Sequence, residues 1–218
     1  MRFAKISEAR CRSVLRCFAL DLTATQSATI TGLSVRRAND LFLRIRKRLA
    51  FECEKISPFH GDLEADESYF GPRRVRGRRG RGAGSKTVVF GLLKREDRVY
   101  TEIVPNVSRA TLRAVIRGHT DLNSVIHTDG WSGYDGLVDL GYARHRRVHH
   151  SDNEFAFGAN HINGIESFWG YAKHRLTKFH GVNRRTFPLH LKETEFRFNH
   201  RHQNLYKVLL SLLRKDPL

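Results

Sequence analysis

No apolar run in these 218 residues approaches the roughly 20 needed to cross a bilayer, and Arg and Glu are scattered through the first turns, so neither a membrane span nor a signal peptide is expected. Cysteine is scarce as well. Cys11, Cys17 and Cys53 show no Cys-x-x-Cys spacing, which excludes a disulfide framework and a zinc ribbon and fits a reducing cytoplasm. The histidines are more numerous, but His149, His150 and His161 have no ligand spacing that points to zinc. The third shortage is of acid. Against 39 Lys and Arg stand 22 Asp and Glu, giving a net charge of +17. So lopsided a balance does not suit an ordinary metabolic enzyme and implies a polyanionic partner, nucleic acid before an anionic membrane or a ribosomal role. No internal repeat is present, and the patterned sequence after residue 85 is not that of a disordered basic tail.

What the chain does contain divides near residues 57/58. From Ala9 to Glu54 apolar residues recur at helical spacing: Val14, Leu15 and Phe18, then Ala24 to Ile30, then Val35, Ala38, Leu41, Phe42, Ile45 and Leu49. Gly32 permits a tight turn, and Ser34 is a good N-cap for the third segment. The outline is a helix-turn-helix-like module over 1–57, with Arg36, Arg37, Asn39, Asp40 and Arg44 outside the apolar stripe of its last helix; Arg36, Arg37, Asn39 and Arg44 are candidate DNA contacts. A small bundle that only packs or dimerises has the same pattern.

Ile56-Ser-Pro-Phe-His-Gly61 breaks the helical period. Beyond it, over 58–218, alternation predicts strands at Leu63 to Phe70, Thr87 to Lys94, Val99 to Val104, Ser124 to Thr128 and Arg144 to Val148. Helices are expected at Ser108 to Gly118, Ser132 to Leu140, Asn163 to Phe179, Arg185 to His202 and Leu205 to Arg214. This order predicts an α/β (α+β) fold, a mixed sheet flanked by helices and compatible with a ribonuclease H-like core. The connection 71–86 holds seven basic residues, five glycines and no acid. Arg73, Arg74, Arg76, Arg78, Arg79, Arg81 and Lys86 suit an arm laid along a phosphate backbone, or a solvated charged loop.

Three acids stand at informative places. Period-two alternation puts Glu64, Asp66 and Ser68 on one face of the first strand, and spacing alone does not choose between the two carboxylates. Asp129 ends an apolar strand ahead of Gly130, with His127 on the same face; a plain turn explains a single such Asp equally well. Glu166 lies on a helix whose buried stripe is Ile165, Phe168, Trp169, Ala172, Leu176 and Phe179. Asn163, Glu166, Gly170 and Lys173 form a polar line on its flank. Carboxylates from separate rigid elements are what a two-metal cage needs, and Lys173 is suited to hold a substrate phosphate. Trp131 and Trp169 are suited either to stacking on a flipped base or to core packing.

The segments Glu64-Ala-Asp-Glu-Ser-Tyr-Phe-Gly71, Val88-Val-Phe-Gly-Leu-Leu-Lys94, His127-Thr-Asp-Gly-Trp-Ser-Gly-Tyr134, His161-Ile-Asn-Gly-Ile-Glu-Ser-Phe-Trp169 with Lys173, and Leu191-Lys-Glu-Thr-Glu-Phe-Arg-Phe-Asn-His-Arg201 occur in this order. Together they resemble the small bacterial insertion-sequence transposases of the DDE class, in the ISXO-like group with a Lys seven residues after the Glu. The similarity runs over nearly all of residues 61 to 204. It implies a ribonuclease H-like catalytic domain in which Asp66, rather than Glu64, joins Asp129 and Glu166 to bind two Mg²⁺ ions, with Mn²⁺ as a substitute. Thirty-six residues lie between Asp129 and Glu166, as in many members of the wider transposase and integrase group. Some relatives use an Asn shortly before this Glu, so Asn163 competes with Glu166; a carboxylate is the better Mg²⁺ ligand. Many relatives also begin with a zinc ribbon that is absent here, leaving end recognition to the helical module.

The resemblance implies double-stranded DNA as substrate, at the terminal inverted repeats and at a target, and a homo-oligomer, a dimer on DNA. Glu193, Arg197 and Arg201 resemble the family's downstream Glu/Arg pattern, and Arg197 and Arg201 are suited either to the DNA backbone or to ion pairs on a helix surface. A structure-specific nuclease with the same cage, and a non-catalytic DNA-binding regulator derived from a transposase, are the competing readings.

Overall fold

The computed structural model describes residues 6–55, 59–71, 86–95, 98–129, 134, 141–142, 144–148 and 162–217. The basic residues Arg73 to Arg81, the helix expected at 132–140 apart from Tyr134, Trp131 and the histidines at 149, 150 and 161 lie outside them. The chain forms two compact units: Met1–Cys53 with Lys192–Leu218, and Glu54–Leu191.

In the first unit, α1 (Glu8–Ala19), α2 (Ala24–Thr31) and α3 (Val35–Glu54) lie where the periodicity places them. Each start has a chemical cause. Ser7 accepts from the Arg10 N–H, and Thr23 and Gln26 close a reciprocal capping box at α2. Gly32 ends α2 at φ 66°, a left-handed conformation that costs a residue without Cβ nothing. Ser34 Oγ then accepts from the Arg37 N–H at 3.3 Å to open α3. Val14, Leu15, Phe18, Leu33, Leu41, Phe42, Ile45, Leu49 and Cys53 make the core of this unit, together with Phe196, Leu209 and Leu213 from the end of the chain. All three cysteines are buried thiols outside any disulfide.

The sequence therefore misplaces the C-terminal stretch. The expected division left everything after residue 57 in one domain, whereas the last residues group with the first because their apolar stripe completes the core around Phe18 and Phe42. Neither stripe shows along the chain which of two cores it belongs to.

The second unit is built on a five-stranded sheet of order β3-β2-β1-β4-β5, where β1 is Asp62–Phe70, β2 Thr87–Lys94, β3 Val99–Val104, β4 Val125–Asp129 and β5 Arg144–Val148. β1, β2 and β3 are antiparallel neighbours, while β4 runs parallel to β1 and β5 parallel to β4. This is the ribonuclease H-like arrangement, a meander extended by parallel strands on the β1 side. The chain passes from β3 to β4 through α4 (Arg109–His119), whose start is capped by Ser108 accepting from the Thr111 N–H.

Alternation gives the sheet two unlike faces. Leu63, Ala65, Phe90, Leu92, Tyr100 and Ile126 join Leu112, Val115 and Ile116 of α4 in one core, with Tyr134 and Tyr142. The opposite face carries Glu64 and Asp66 and receives α5 (Asn163–Thr177). After α5 come α6 (Phe187–Asn199) and α7 (Leu205–Lys215).

Candidate active site

Strand register brings two of the three acids together. The parallel pairing of β1 with β4 matches Asp62 with Val125, Leu63 with Ile126 and Glu64 with His127, a constant offset of 63 positions. Continued two residues further, past the last paired residue, the same offset sets Asp66 beside Asp129. Adjacent strands lie about 4.8 Å apart, so the two carboxylates project side by side from the same sheet face. His127, one alternation before Asp129, is fully buried and holds Asp62 Oδ1 at 2.9 Å from its Nε2. That bond, more than the nearby positive charges, holds the Asp62 carboxyl below its ordinary value.

The electrostatics of Asp66 are those of a crowded carboxylate. Its pKa is pushed up to about 7, first by burial, then by the charges of Glu67 and Asp129. Against this, the Glu67 backbone N–H and the Trp169 indole donate to it, the latter at 3.0 Å from Nε1 to Oδ2. Glu67 points to the other face, where it accepts a 2.6 Å hydrogen bond from Tyr134, itself fully buried. Burial and the Glu67 carboxylate raise the Tyr134 hydroxyl well above its ordinary range. A carboxyl pushed up to about 7, first by burial and then by the repulsion of its neighbours, is a site that gains from a cation.

α5 reaches the acids by packing on β1 and β2. Gly91 of β2 faces the helix, and a methyl group there would meet Trp169 Cζ2 at 2.7 Å and Ile165 Cδ1 at 2.9 Å. The absent side chain is the space the indole fills. Trp169 also packs edge-on against Phe70, with ring centroids 6.0 Å apart. It is 4% exposed, which assigns it to the core and removes it as a platform for a flipped base. Gly91→Ala is expected to push α5 outward and cost about 1–3 kcal/mol, by the ordinary penalty for overpacking. Thermal denaturation, with Trp emission as a report on the Asp66 contact, checks this.

Asn163, Glu166 and Lys173 are exposed along α5, with Glu166 in its first turn, one turn before Trp169. Among the described residues no three His, Cys, Asp or Glu side chains converge closely enough to hold a metal ion. Asp66 and Asp129 are thus brought together by the sheet, and Glu166 stands on the helix docked to the same face. Glu64, the rival of Asp66 in the sequence, is engaged elsewhere: it is 1% exposed, accepts the Ile165 N–H at 2.8 Å and pairs with Arg95 at 3.1 Å.

The candidate DNA contacts divide. Arg36, Arg37, Asn39 and Arg44 are exposed on α3, and Lys86 and Arg201 are exposed as well. Arg197 is not. It is 7% exposed and lies inside the first unit, donating to Glu193 Oε1 at 2.9 Å, to the Ala19 carbonyl at 3.1 Å and to the Phe18 carbonyl. Glu193 also accepts from Arg46 Nε at 2.7 Å. The expected DNA contact or surface ion pair at Arg197 is corrected to a buried network. A polar residue within a helical pattern does not announce that its partner sits near the other end of the chain.

The sequence model of the ISXO2-like transposase domain matches residues 58–199. The chain belongs to that family. Within it, the chain is 45% identical over 121 residues to an uncharacterized transposase-like protein of Haemophilus influenzae, a match covering 56% of this chain and 97% of the relative. Among solved structures it is similar to a simian T-cell lymphotropic virus intasome determined with a PP2A regulatory subunit, at 11% identity and a TM-score of 0.41 over 86% of this chain and 68% of that one. It is also similar to the Mos1 strand transfer complex, at 13% identity and a TM-score of 0.31 over 100% of this chain and 81% of that one. Overlaps this loose add nothing to the ribonuclease H-like assignment, which stands on strand order. The ISXO2-like transposase match spans every strand of the sheet and the whole of α5 and α6. No helix among the described residues is long and apolar enough to cross a membrane.

Proposed function

We propose that this ISXO2-like transposase moves an insertion sequence by cutting DNA at the terminal inverted repeats and joining the freed ends to a target. The observation that carries the proposal is the β1–β4 register, which, continued two residues past its last pair, sets Asp66 level with Asp129 on the face where α5 docks. Asp66, Asp129 and Glu166 would hold two Mg²⁺ ions, or Mn²⁺ in their place. The donor set fits, being all-oxygen and anionic, with repulsion at Asp66 that a cation relieves. When bound, such ions supply positive charge to the attacking and leaving oxygens of an in-line displacement at phosphorus.

The chain's own residues position the DNA. Lys173, seven residues after Glu166 on the same polar line of α5, binds a phosphate beside the scissile bond. Water displaces the 3′ oxygen at the element end, leaving a 5′ phosphate and a free 3′-OH. That hydroxyl then takes the place of water and attacks a target phosphodiester, forming a new P–O bond as the target strand's own 3′ oxygen leaves, so one site serves both steps. The exposed Arg36, Arg37, Asn39 and Arg44 of α3 read or grip the inverted repeat, and the basic segment 71–86 lies along the backbone. Two ends must be brought together for joining, which suits a dimer on DNA.

The test is incubation with Mg²⁺ and DNA bearing the element's own inverted repeats. Cleavage at the ends followed by joining is expected. Binding without cleavage would sink the enzymatic reading, and cleavage indifferent to end sequence would make the chain a nuclease. For the third ligand, Glu166→Ala is expected to abolish cleavage and Asn163→Ala to retain most of it; the reverse result would move the role to Asn163.

A further inference from the structure

Glu64 is a buried carboxylate that the chemistry proposed above does not use. It stands two residues before Asp66 on the same face of β1, 1% exposed. One of its oxygens, Oε2, accepts the Ile165 N–H of α5 at 2.8 Å, and the other lies 3.1 Å from Arg95 Nε. α5 has no cap of its own, because Ile162 occupies the N-cap position and offers no acceptor. The Ile165 N–H is one of the donors that a helix start leaves without an intrahelical partner. Glu64 thus supplies from a neighbouring strand what a Ser, Thr or Asp at the N-cap ordinarily supplies from the helix itself, and its charge suits the positive end of the helix dipole.

The approach is close. A methyl group on Gly164 would meet Glu64 Oε2 at 2.9 Å and Leu93 Cδ2 at 2.9 Å, so a glycine at this point lets the helix end descend onto the carboxylate. One turn further along, the Trp169 indole donates to Asp66. The start of α5 is consequently tied to β1 at two points, and Glu166 lies between Ile165 and Trp169.

We propose that Glu64 is a positioning residue of the transposase: by capping α5 from β1 it fixes the helix that carries Glu166 against the strand that carries Asp66. Arg95 holds the Glu64 carboxylate in place and offsets its buried charge. This rests on the reading of Asp66, Asp129 and Glu166 as the metal site.

The experiment uses the full chain in a Trp131→Phe background, which leaves Trp169 as the single tryptophan, with that background's own titration as reference. Mg²⁺ is titrated by Trp169 emission, and cleavage of inverted-repeat DNA is measured alongside. Glu64→Ala is expected to raise the Mg²⁺ midpoint by about 10–100-fold, the usual effect of losing a group that orients a ligand. Glu64→Gln, which keeps an acceptor for the Ile165 N–H, is expected to stay within about threefold of the reference. An unchanged midpoint in Glu64→Ala overturns the proposal. So does a Glu64→Gln variant as damaged as Asp66→Ala, because the charge and not the cap would then matter and Glu64 would be a ligand. Should Glu64→Ala fail to fold, the Glu64→Gln result decides alone. Asp66→Ala tells the two readings apart: if it still cleaves, the metal-site assignment fails, whereas if it is dead and Glu64→Ala is normal, only the positioning role falls.

Discussion

Asp66→Asn is expected to lower cleavage of inverted-repeat DNA by at least about a thousandfold, and Asp129→Asn to do the same, while both leave end binding intact. Neutralising either partner removes half of the paired charge that the register creates, and no other described carboxylate can replace it from the same level of the sheet. The Asp66 variant carries a second signature. With a carboxyl near pKa 7 in the folded protein and 3.8 as the ordinary value, the folded chain keeps a proton that the unfolded chain releases. The stability this proton contributes is fully present below about pH 4 and is lost as pH rises toward 7, at about 1.4 kcal/mol per pH unit. Asn mimics the protonated state in both forms. Without divalent cation, Asp66→Asn should therefore match the wild type near pH 4 and melt higher above pH 7. Adding Mg²⁺ at pH 8 should raise the wild-type melting temperature and leave the variant's where it was. Equal melting of the two proteins at pH 8 in chelator would refute the strained-carboxylate account.

Glu193→Ala is expected to destabilise the first unit strongly although the residue is polar. The carboxylate is 1% exposed between Arg46 and Arg197, whose side chains are 10% and 6% exposed. Taking it away leaves two buried cations facing one another, and such losses cost about 3–5 kcal/mol because a buried charge is stripped of its partner. The cost should fall toward the lower end, since Arg197 retains Asp21 at 3.3 Å and two backbone carbonyls. In thermal denaturation a loss of about 3 kcal/mol corresponds to roughly 6–12 °C. A loss of DNA affinity with no loss of stability would instead return Arg197 to the surface role that its place in the sequence suggested.

These two sites mark the difference between local and distant information in the chain. Strand and helix positions, the Ser34 and Ser108 caps and the Gly32 turn could be read directly, because each depends on neighbours within a few residues and on the periods of 2 and 3.6. Asp129 could be placed at a strand end, and the motifs around Asp66 and Glu166 carried the family resemblance. Charge alone pointed to a polyanion. Alternation also put Glu64 and Asp66 on one face, but it treated them as equals.

Only the folded chain separates those two acids. Glu64 meets the Ile165 N–H, 101 residues away, and Asp66 meets the Trp169 indole, 103 residues away. Arg46 finds Glu193 across 147 residues. Partners so remote are chosen by strand register and helix packing, which a local pattern does not encode. The sequence by itself determined the elements, the charge and the acids available for chemistry. Tertiary structure decided which acid meets the Trp169 indole, which one meets the Ile165 N–H at the start of α5, and that Arg197 serves a core, because each depends on what the fold sets within about 3 Å of a side chain.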